Sequence, residues 1–460
     1  MTTLISQTVE DLRHQVSSPV VLPSDPNYDE VRAIWNAMID RRPAVIVQCT
    51  NAADVPRVIR FAQDRRLDLS IRGAGHNIAG NSLCEGGVLL DFATMNHVEV
   101  DVSRRRAYAQ PGATLADLDK ATQAYGMATP VGINSTTGIA GLTLGGGFGW
   151  LTRQHGLTID NLISAEVVTA DGQTLHASES ENPDLFWAIR GGGGNFGVVT
   201  QFEFALHPVG PEIMAGLIVF PLAQAKSVLT QYREFVATAP EALNVWAILR
   251  QAPPLPFLPE TVHGQGVVVL SIFYNGHSAE GEKLIQPLRR FGDAYGEHIG
   301  VQPYGEWQQA FDPLLTPGAR NYWKSHYLTE LQDDALDVLI DFAHKQPSPQ
   351  CEIFIAAIAG AANRVPAEAT AYYNRDAKFA LNVHSRWDGA DDDDTCIAWA
   401  RDFFKASTPY ASKGVYVNFM TAEESDRVAA AYGANYSRLV ELKKRYDPDN
   451  VFHHNQNIQP

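Results

Sequence analysis

Three glycine clusters, at residues 73–80, 138–149 and 191–197, constrain this chain more than any other feature. Glycine at such density lets backbone N–H groups approach a phosphate with no Cβ in the way. One cluster alone is explained by tight turns in a β-rich protein. Three within one stretch point to a nucleotide ligand. Gly192, Gly194 and Gly197 satisfy G-x-G-x-x-G. A Rossmann site, however, needs strand, glycines and helix in that order, so that the helix N-terminus meets pyrophosphate. Here the pattern predicts a helix before the glycines and a strand after them. In the first cluster Ile78 stands where a third glycine should be, and no G-x-x-x-x-G-K-[ST] occurs. A Rossmann nicotinamide domain and a P-loop are both disfavoured.

Periodicity fills in the surroundings. A β-branched strand at 44–49 precedes an amphipathic helix at 53–65, with Val55, Val58, Ile59 and Ala62 on one face. A strand at 67–71 then enters the turn Arg72-Gly73-Ala74-Gly75-His76-Asn77. Further strands are predicted at 88–92, 97–102, 106–110, 162–169, 174–177 and 198–206, with helices at 115–125 and 184–189. Asp171-Gly172 marks a hairpin and Asn182-Pro183 a helix start. After His207-Pro208 the texture changes. Strands at 213–220, 267–274, 353–358 and 379–387 alternate with helices at 223–237, 279–291, 335–344 and 395–406, without glycine loops. This predicts a separate antiparallel sheet with helices on one face. The ending, 414–460, carries a helix, an Asp447-Pro448-Asp449 break and the polar tail Asn455-Gln456-Asn457-Ile458.

A length of 460 residues with 45% apolar content supports two or three packed units. The net charge of −16 argues against nucleic acid or an anionic membrane as partner. No apolar run reaches the ~18 residues of a membrane span. The N-terminus has no basic start followed by an apolar stretch, so a cytoplasmic location is expected. Cys49, Cys84, Cys351 and Cys396 lie far apart without metal-ligand spacing, so neither a metal site nor a disulfide framework is expected.

The segments IRGAGHN, GGVLLDFATMN, PGATLADL, STTGIAGLTLGGGFGWLTRQHGL, NLISAEVVTADG and FWAIRGGGGNFGVVTQFEF together resemble the vanillyl-alcohol-oxidase-like FAD-binding domain. The ending NYSRLVELKKRYDPDNVFHHNQNI resembles the C-terminal element of berberine-bridge-enzyme-like oxidases. The similarity covers residues 38–208 and 350–460, with weaker echoes in NYWKSHYLTEL between. The resemblance implies an α+β fold. A two-lobed FAD-binding domain would be assembled from residues 1–208 and 412–460, with an antiparallel-sheet substrate domain at 209–411. It also implies that His76 is bonded to the 8α carbon of FAD. Relatives often add a second bond through a cysteine, but Asn134 occupies that position here, so a single linkage is expected. Leu142 likewise replaces a histidine common in the family. The residues carried over as cofactor-binding are Arg72, Gly73, Ala74, Gly75, His76, Asn77, Gly80, Asn81, Pro111, Gly112, Gly132, Thr136, Thr137, Gly138, Gly141 and Leu142. To these are added Gly145, Gly146, Gly147, Gly149, Gly197, Val198, Asn418, Asn455 and Asn457.

The implied reaction takes a hydride from an alcohol, sugar or amine carbon of a small molecule to flavin N5, with O2 reoxidising the flavin to give hydrogen peroxide. The proton acceptor is less legible. Where relatives carry Y-x-N-Y, this chain has Tyr416-Val417-Asn418-Phe419, and phenylalanine cannot accept a proton. Tyr416, in an alternating strand-like segment, Glu352 and His384 are the catalytic candidates. Arg386 shares the His384 face. A flavin dehydrogenase using another acceptor, and a flavin-binding protein without turnover, remain as alternatives, the latter resting on Phe419 alone. We expect His76→Ala to weaken or abolish covalent flavin incorporation and a substitution at Cys84 to retain it. Ultraviolet fluorescence of denaturing gels reads both, and loss of linkage in the cysteine variant would refute the single bond.

Overall fold

The computed structural model describes residues 10–460; residues 1–9, the start of the stretch searched for a secretion signal, lie outside the described residues. The first sheet joins β1 (Val20–Val21), β2 (Val45–Gln48), β3 (Leu69–Arg72) and β4 (Val88–Asp91) in the order β1-β2-β4-β3. Its β2-β4-β3 core is parallel. Parallel strands are covered on both faces, which is why β2 and β4 read as continuous apolar runs. The helix Val55–Arg65 buries Val55, Val58, Ile59, Phe61 and Ala62, and it ends at Arg66 in the left-handed region. Arg72 closes β3. Its guanidinium forms a buried ion pair with Asp91 at 2.7 Å and donates to the carbonyls of Val31 and Ala33. The chain then turns into the 73–77 loop from a fixed anchor.

Seven strands follow: β5 (Val98–Asp101), β6 (Arg106–Ala109), β7 (Met127–Ala128), β8 (Leu162–Val168), β9 (Thr174–Ser178), β10 (Val198–Ala205) and β11 (His207–Pro208). β7 and β11 form a ribbon, and the others an antiparallel sheet in the order β5-β6-β10-β8-β9. The helix Pro183–Ile189 precedes the glycines of 191–197 and β10 follows them, the reverse of a Rossmann loop. The C-terminal segment shares this core: Val415, Val417, Leu439, Leu442 and Ile458 pack with Leu185, Phe196 and Phe202.

The third sheet holds β12 (Glu212–Pro221), β13 (Leu243–Gln251), β14 (Gly266–Tyr274), β15 (Gly296–Pro303), β16 (Arg320–Leu328), β17 (Glu352–Ala357) and β18 (Phe379–Trp387). All its pairings are antiparallel, in the order β15-β12-β14-β13-β17-β18-β16. One face is covered by the helices Ala225–Thr238, Asp333–Ala343 and Asp393–Ser407, with Tyr232 donating to the carbonyl of Val245 and Trp399 to that of Phe342. The sequence pattern missed β13, β15 and β16. β13 is buried along eight of its nine residues, so no alternation marks it. β15 is an edge strand with exposed Glu297 and His298. The helix predicted over 279–291 stops at Ile285, because Pro287 cannot continue it. Tyr416 is not in a strand: it is the extended residue before the 3-10 turn Val417–Phe419. Among the described residues no helix is long and apolar enough to cross a membrane.

The tail is held by a fully buried ammonium. Lys443 donates to Asp447 Oδ2 at 2.7 Å and to the carbonyls of Phe452 and Asn195 at 2.8 and 2.9 Å. All three of its protons are used. Removing one partner of a buried pair strands the other, at a cost of about 3–5 kcal/mol. Lys443→Ala should therefore lower unfolding stability by that order, measured as a shift of the urea midpoint against wild type.

Candidate active site

A cavity of about 500 Å³ lies between the glycine loops and the open face of the third sheet. Its first half is built by close approach of loops. A Cβ on Gly73 would come within 3.0 Å of the Pro111 carbonyl oxygen, and one on Gly138 within 2.8 Å of the Ala74 nitrogen. Only glycine lets these loops stack. Gly73, Ala74, Gly75, His76, Asn77, Asn81, Pro111, Gly132, Thr137, Gly138, Gly141, Leu142, Gly197, Val198, Asn418 and Asn455 all line the cavity.

Other carried-over positions sit behind this surface. Arg72 is tied to Asp91. Gly80 faces Ile39, and Gly112 and Gly149 face the carbonyls of Phe92 and Val131. Gly145 packs on the Asn418 amide, Gly146 on the Tyr372 ring and Gly147 on Thr158, the last two at positive φ. The triple glycine thus receives side chains from elsewhere in the chain. Asn457 has a buried, unpartnered Oδ1 but does not line the cavity. Thr136 is exposed and touches the site through its hydroxyl, 3.0 Å from His76 Nε2.

His76 stacks on Trp35, with ring centroids 5.1 Å apart and planes at 21°. Burial pushes its pKa down to about 4, so the imidazole is neutral at physiological pH. Cys84 lies outside the cavity lining, its thiol 3.5 Å from the Val88 carbonyl oxygen, and burial raises its pKa. Ser135 turns to Asp312, to which its N–H donates at 2.9 Å.

The second half is made by side chains that alternate along the strands, so that one face of the sheet looks into the cavity. Trp246, Ile248 and Arg250 come from β13, Glu352 and Phe354 from β17, and Asn382 and His384 from β18. Register aligns four of the lining residues in one row: Arg250 opposite Glu352, Glu352 opposite His384, and His384 opposite Trp323. Arg250 donates to Glu352 Oε2 at 2.7 Å, and His384 Nδ1 lies 3.2 Å from Glu352 Oε1. Burial works to raise the Glu352 pKa, but Arg250 and His384 outweigh it, and the carboxyl sits below its ordinary value. Burial also lowers His384, more than Glu352 raises it. The pair is therefore a carboxylate accepting from a neutral imidazole N–H. Arg386 joins this row from the side through Asn321, 3.4 Å from its Oδ1.

Tyr416 also lines the cavity. Its hydroxyl oxygen accepts from the Gly147 N–H and the Asn418 amide, each at 3.0 Å, and its ring packs on Phe148 and Phe419. Burial pushes its pKa up to about 12. Tyr372 stands behind it, bonded to the Tyr327 hydroxyl at 2.5 Å. Residues the sequence did not single out include Trp35, Ser82, Arg250, Trp246, Trp323, Asn382 and His454, all on the cavity wall. Trp246, Ile248 and Arg250 share one face of β13, but the apolar Ala247 and Leu249 between them hide that spacing in the sequence. At the edge of the tail, Asp68 faces His453 and His454 at 3.5 and 3.4 Å, a grouping that spacing along the chain conceals.

Family models match in two places: an FAD binding domain at residues 43–178, and a berberine and berberine-like element at 415–459. An FAD-linked oxidoreductase of Dictyostelium discoideum is 31% identical over 99% of this chain and 97% of its own length. The chain belongs to the berberine-bridge-enzyme-like FAD-linked oxidoreductases. Within this family, (R)-6-hydroxynicotine oxidase of Paenarthrobacter nicotinovorans is also 31% identical, covering 97% of each chain. The crystal structure of 6-hydroxy-D-nicotine oxidase from Arthrobacter nicotinovorans superposes with a TM-score of 0.86 at 28% identity, covering 97% of this chain and 98% of that one. The site fits FAD on its own chemistry. Ser82 Oγ and Asn455 Oδ1 are buried in the wall without partners, beside glycine loops that leave backbone amides accessible.

His384 has a lower pKa folded than unfolded, so between the two values the unfolded chain binds more protons. Its stabilising contribution is complete above the ordinary value of 6.5 and is lost as pH falls through the folded value. Urea midpoints should fall from pH 7 towards pH 5, and less steeply in His384→Gln. Equal slopes in the two proteins would contradict a neutral buried imidazole.

Proposed function

We propose that the protein is an oxidase acting on an alcohol or amine carbon of a small, largely apolar molecule, with O2 as final electron acceptor. Residues 1–208 and 412–460 would form the FAD domain and 209–411 the substrate domain, with FAD held by one covalent bond to His76. The observation that carries this reading is the continuity of one cavity from His76 to the Arg250–Glu352–His384 row. FAD bound there supplies a two-electron acceptor for the hydride. The neutral His76 ring has a lone pair free for bonding, and the position of Cys84 outside the wall supports a single linkage.

Glu352 is assigned the substrate proton. Arg250 keeps its carboxyl ionised, and the His384 N–H holds one oxygen so that the group faces the cavity in a fixed pose. Tyr416, pushed up to about 12, keeps its proton at neutral pH and serves as a hydrogen-bond donor into the cavity, with Gly147 and Asn418 fixing its oxygen. Phe419 then needs no acid–base role; it packs against Tyr416 and Trp323.

The walls set the substrate class. Trp246, Ile248, Val269 and Phe354 present apolar surface, while Asn382 and the indole N–H groups of Trp246 and Trp323 offer unpartnered polar atoms. A few polar groups on an apolar wall orient a compact ligand. The likeness to (R)-6-hydroxynicotine oxidase supports the amine class.

The test is a panel of aromatic and alicyclic alcohols and amines incubated under air, with peroxide measured against substrate consumed. Stoichiometric peroxide supports the oxidase; turnover only with an added quinone or dye would make it a dehydrogenase. With the best substrate, Glu352→Gln should lower kcat/KM by about 10²–10⁴-fold at unchanged flavin content. An unchanged kcat/KM removes Glu352 from the proton step.

A further inference from the structure

Asn134 lies beside the attachment histidine without touching it, and its hydrogen bonds decide the state of that ring. Asn134 Oδ1 receives the backbone N–H of Thr136 at 3.1 Å and the Thr136 hydroxyl at 2.7 Å. A backbone N–H can only donate, so the atom facing Thr136 is the amide oxygen rather than the nitrogen. That oxygen has no proton to give. The Thr136 hydroxyl therefore spends its one proton on Asn134, and only lone pairs remain on its Oγ1.

His76 Nε2 sits 3.0 Å from this Oγ1. The contact is attractive only when Nε2 carries a proton. The ring is neutral, so its single N–H is then on Nε2, and Nδ1 is left with an unshared pair. The Trp35 ring lies nearly parallel to the imidazole, while its own indole N–H is tied to the Leu315 carbonyl at 3.0 Å. Rotation that would exchange the two nitrogens is opposed by this stacking.

We propose that Asn134 and Thr136 are a positioning pair that holds His76 as the Nε2–H tautomer and thereby directs FAD attachment to Nδ1 and speeds it. The inference rests on the reading that His76 carries FAD. In the attachment, the Nδ1 pair forms a bond to the 8α carbon; that carbon loses one C–H and the imidazole loses its Nε2 proton. Two protons and two electrons are released in all, and molecular oxygen takes them up as hydrogen peroxide. The Nε2 proton leaves on the solvent side, where Thr136 is exposed. Once Nδ1 is bonded, Nε2 has the lone pair, and the Thr136 hydroxyl can turn to donate to it.

The experiment uses full-length protein produced under riboflavin limitation, mixed with FAD under air. Covalent flavin is followed by acid precipitation and in-gel fluorescence, and reversible FAD binding by fluorescence quenching. Thr136→Val keeps the shape and removes the hydroxyl. With reversible binding measured first and FAD then supplied at saturation, it should attach the cofactor about tenfold more slowly than wild type, the equivalent of one net hydrogen bond. Thr136→Ser should restore the rate, and Asn134→Leu should slow it as valine at 136 does. NMR of the flavin peptide should give Nδ1 attachment in wild type and a mixture of both nitrogens in Thr136→Val. Attachment by Thr136→Val at the wild-type rate and at Nδ1 alone would overturn the positioning role while leaving His76 as the site. A wild type that binds FAD but never bonds it would overturn the His76 reading itself, and this inference with it.

Discussion

One ammonium group ties together the parts from which the cofactor side of the cavity is made. Lys443 reaches from the helix Tyr436–Tyr446 to the Asn195 carbonyl in the third glycine cluster and to the Phe452 carbonyl in the tail, with Asp447 balancing its charge. A charge in that position is tolerable only when each proton has an acceptor. The tail must therefore return to one place. It brings Phe452, His454, Asn455 and Gln456 to the cavity wall, and it carries residues such as Ile458 into the core of the second sheet. Asn195 closes the arrangement by accepting the N–H of Ile458 on its side-chain oxygen.

The same economy governs the triple glycine. Residues 145–147 lack side chains because Asn418, Tyr372 and Thr158 occupy that space. Tyr416 then accepts the Gly147 N–H. The segment holding Tyr416 and Asn418 thus supplies the hydrogen bond and part of the filling, the Gly147–Tyr416 separation being 269.

On the other wall, charged groups are gathered in one cross-strand row. Arg250, Glu352 and His384 neutralise and orient one another, while Ile248 and Phe354 form an apolar pair in the adjoining row. Low polarity around a carboxylate strengthens each of its interactions. This is the setting in which a fixed acceptor of one proton is useful. Tyr416, also on the cavity wall, has its pKa moved in the opposite sense, upward by burial. Two of the three candidates that the sequence put forward are separated by their surroundings, one carboxyl held below its ordinary pKa and one hydroxyl held above it.

The amino-acid sequence by itself determined the local conformations and the identity of the family. Glycine density, the reversed order of helix, glycines and strand, the R-G-A-G-H-N loop and the tail motif are short-range patterns, and each reflects backbone freedom or period within a few residues. Strands with alternation or β-branching were legible; β13, buried on both faces, and β15, at an edge, were not. What only the tertiary structure decided is which side chains meet. Arg250 and Glu352 are 102 residues apart, Glu352 and His384 are 32, and Thr136 and His76 are 60. Strand register and loop stacking bring them within hydrogen-bond distance. A one-residue slip in either strand would turn Glu352 or His384 to the helix-covered face, because side chains alternate with a period of two.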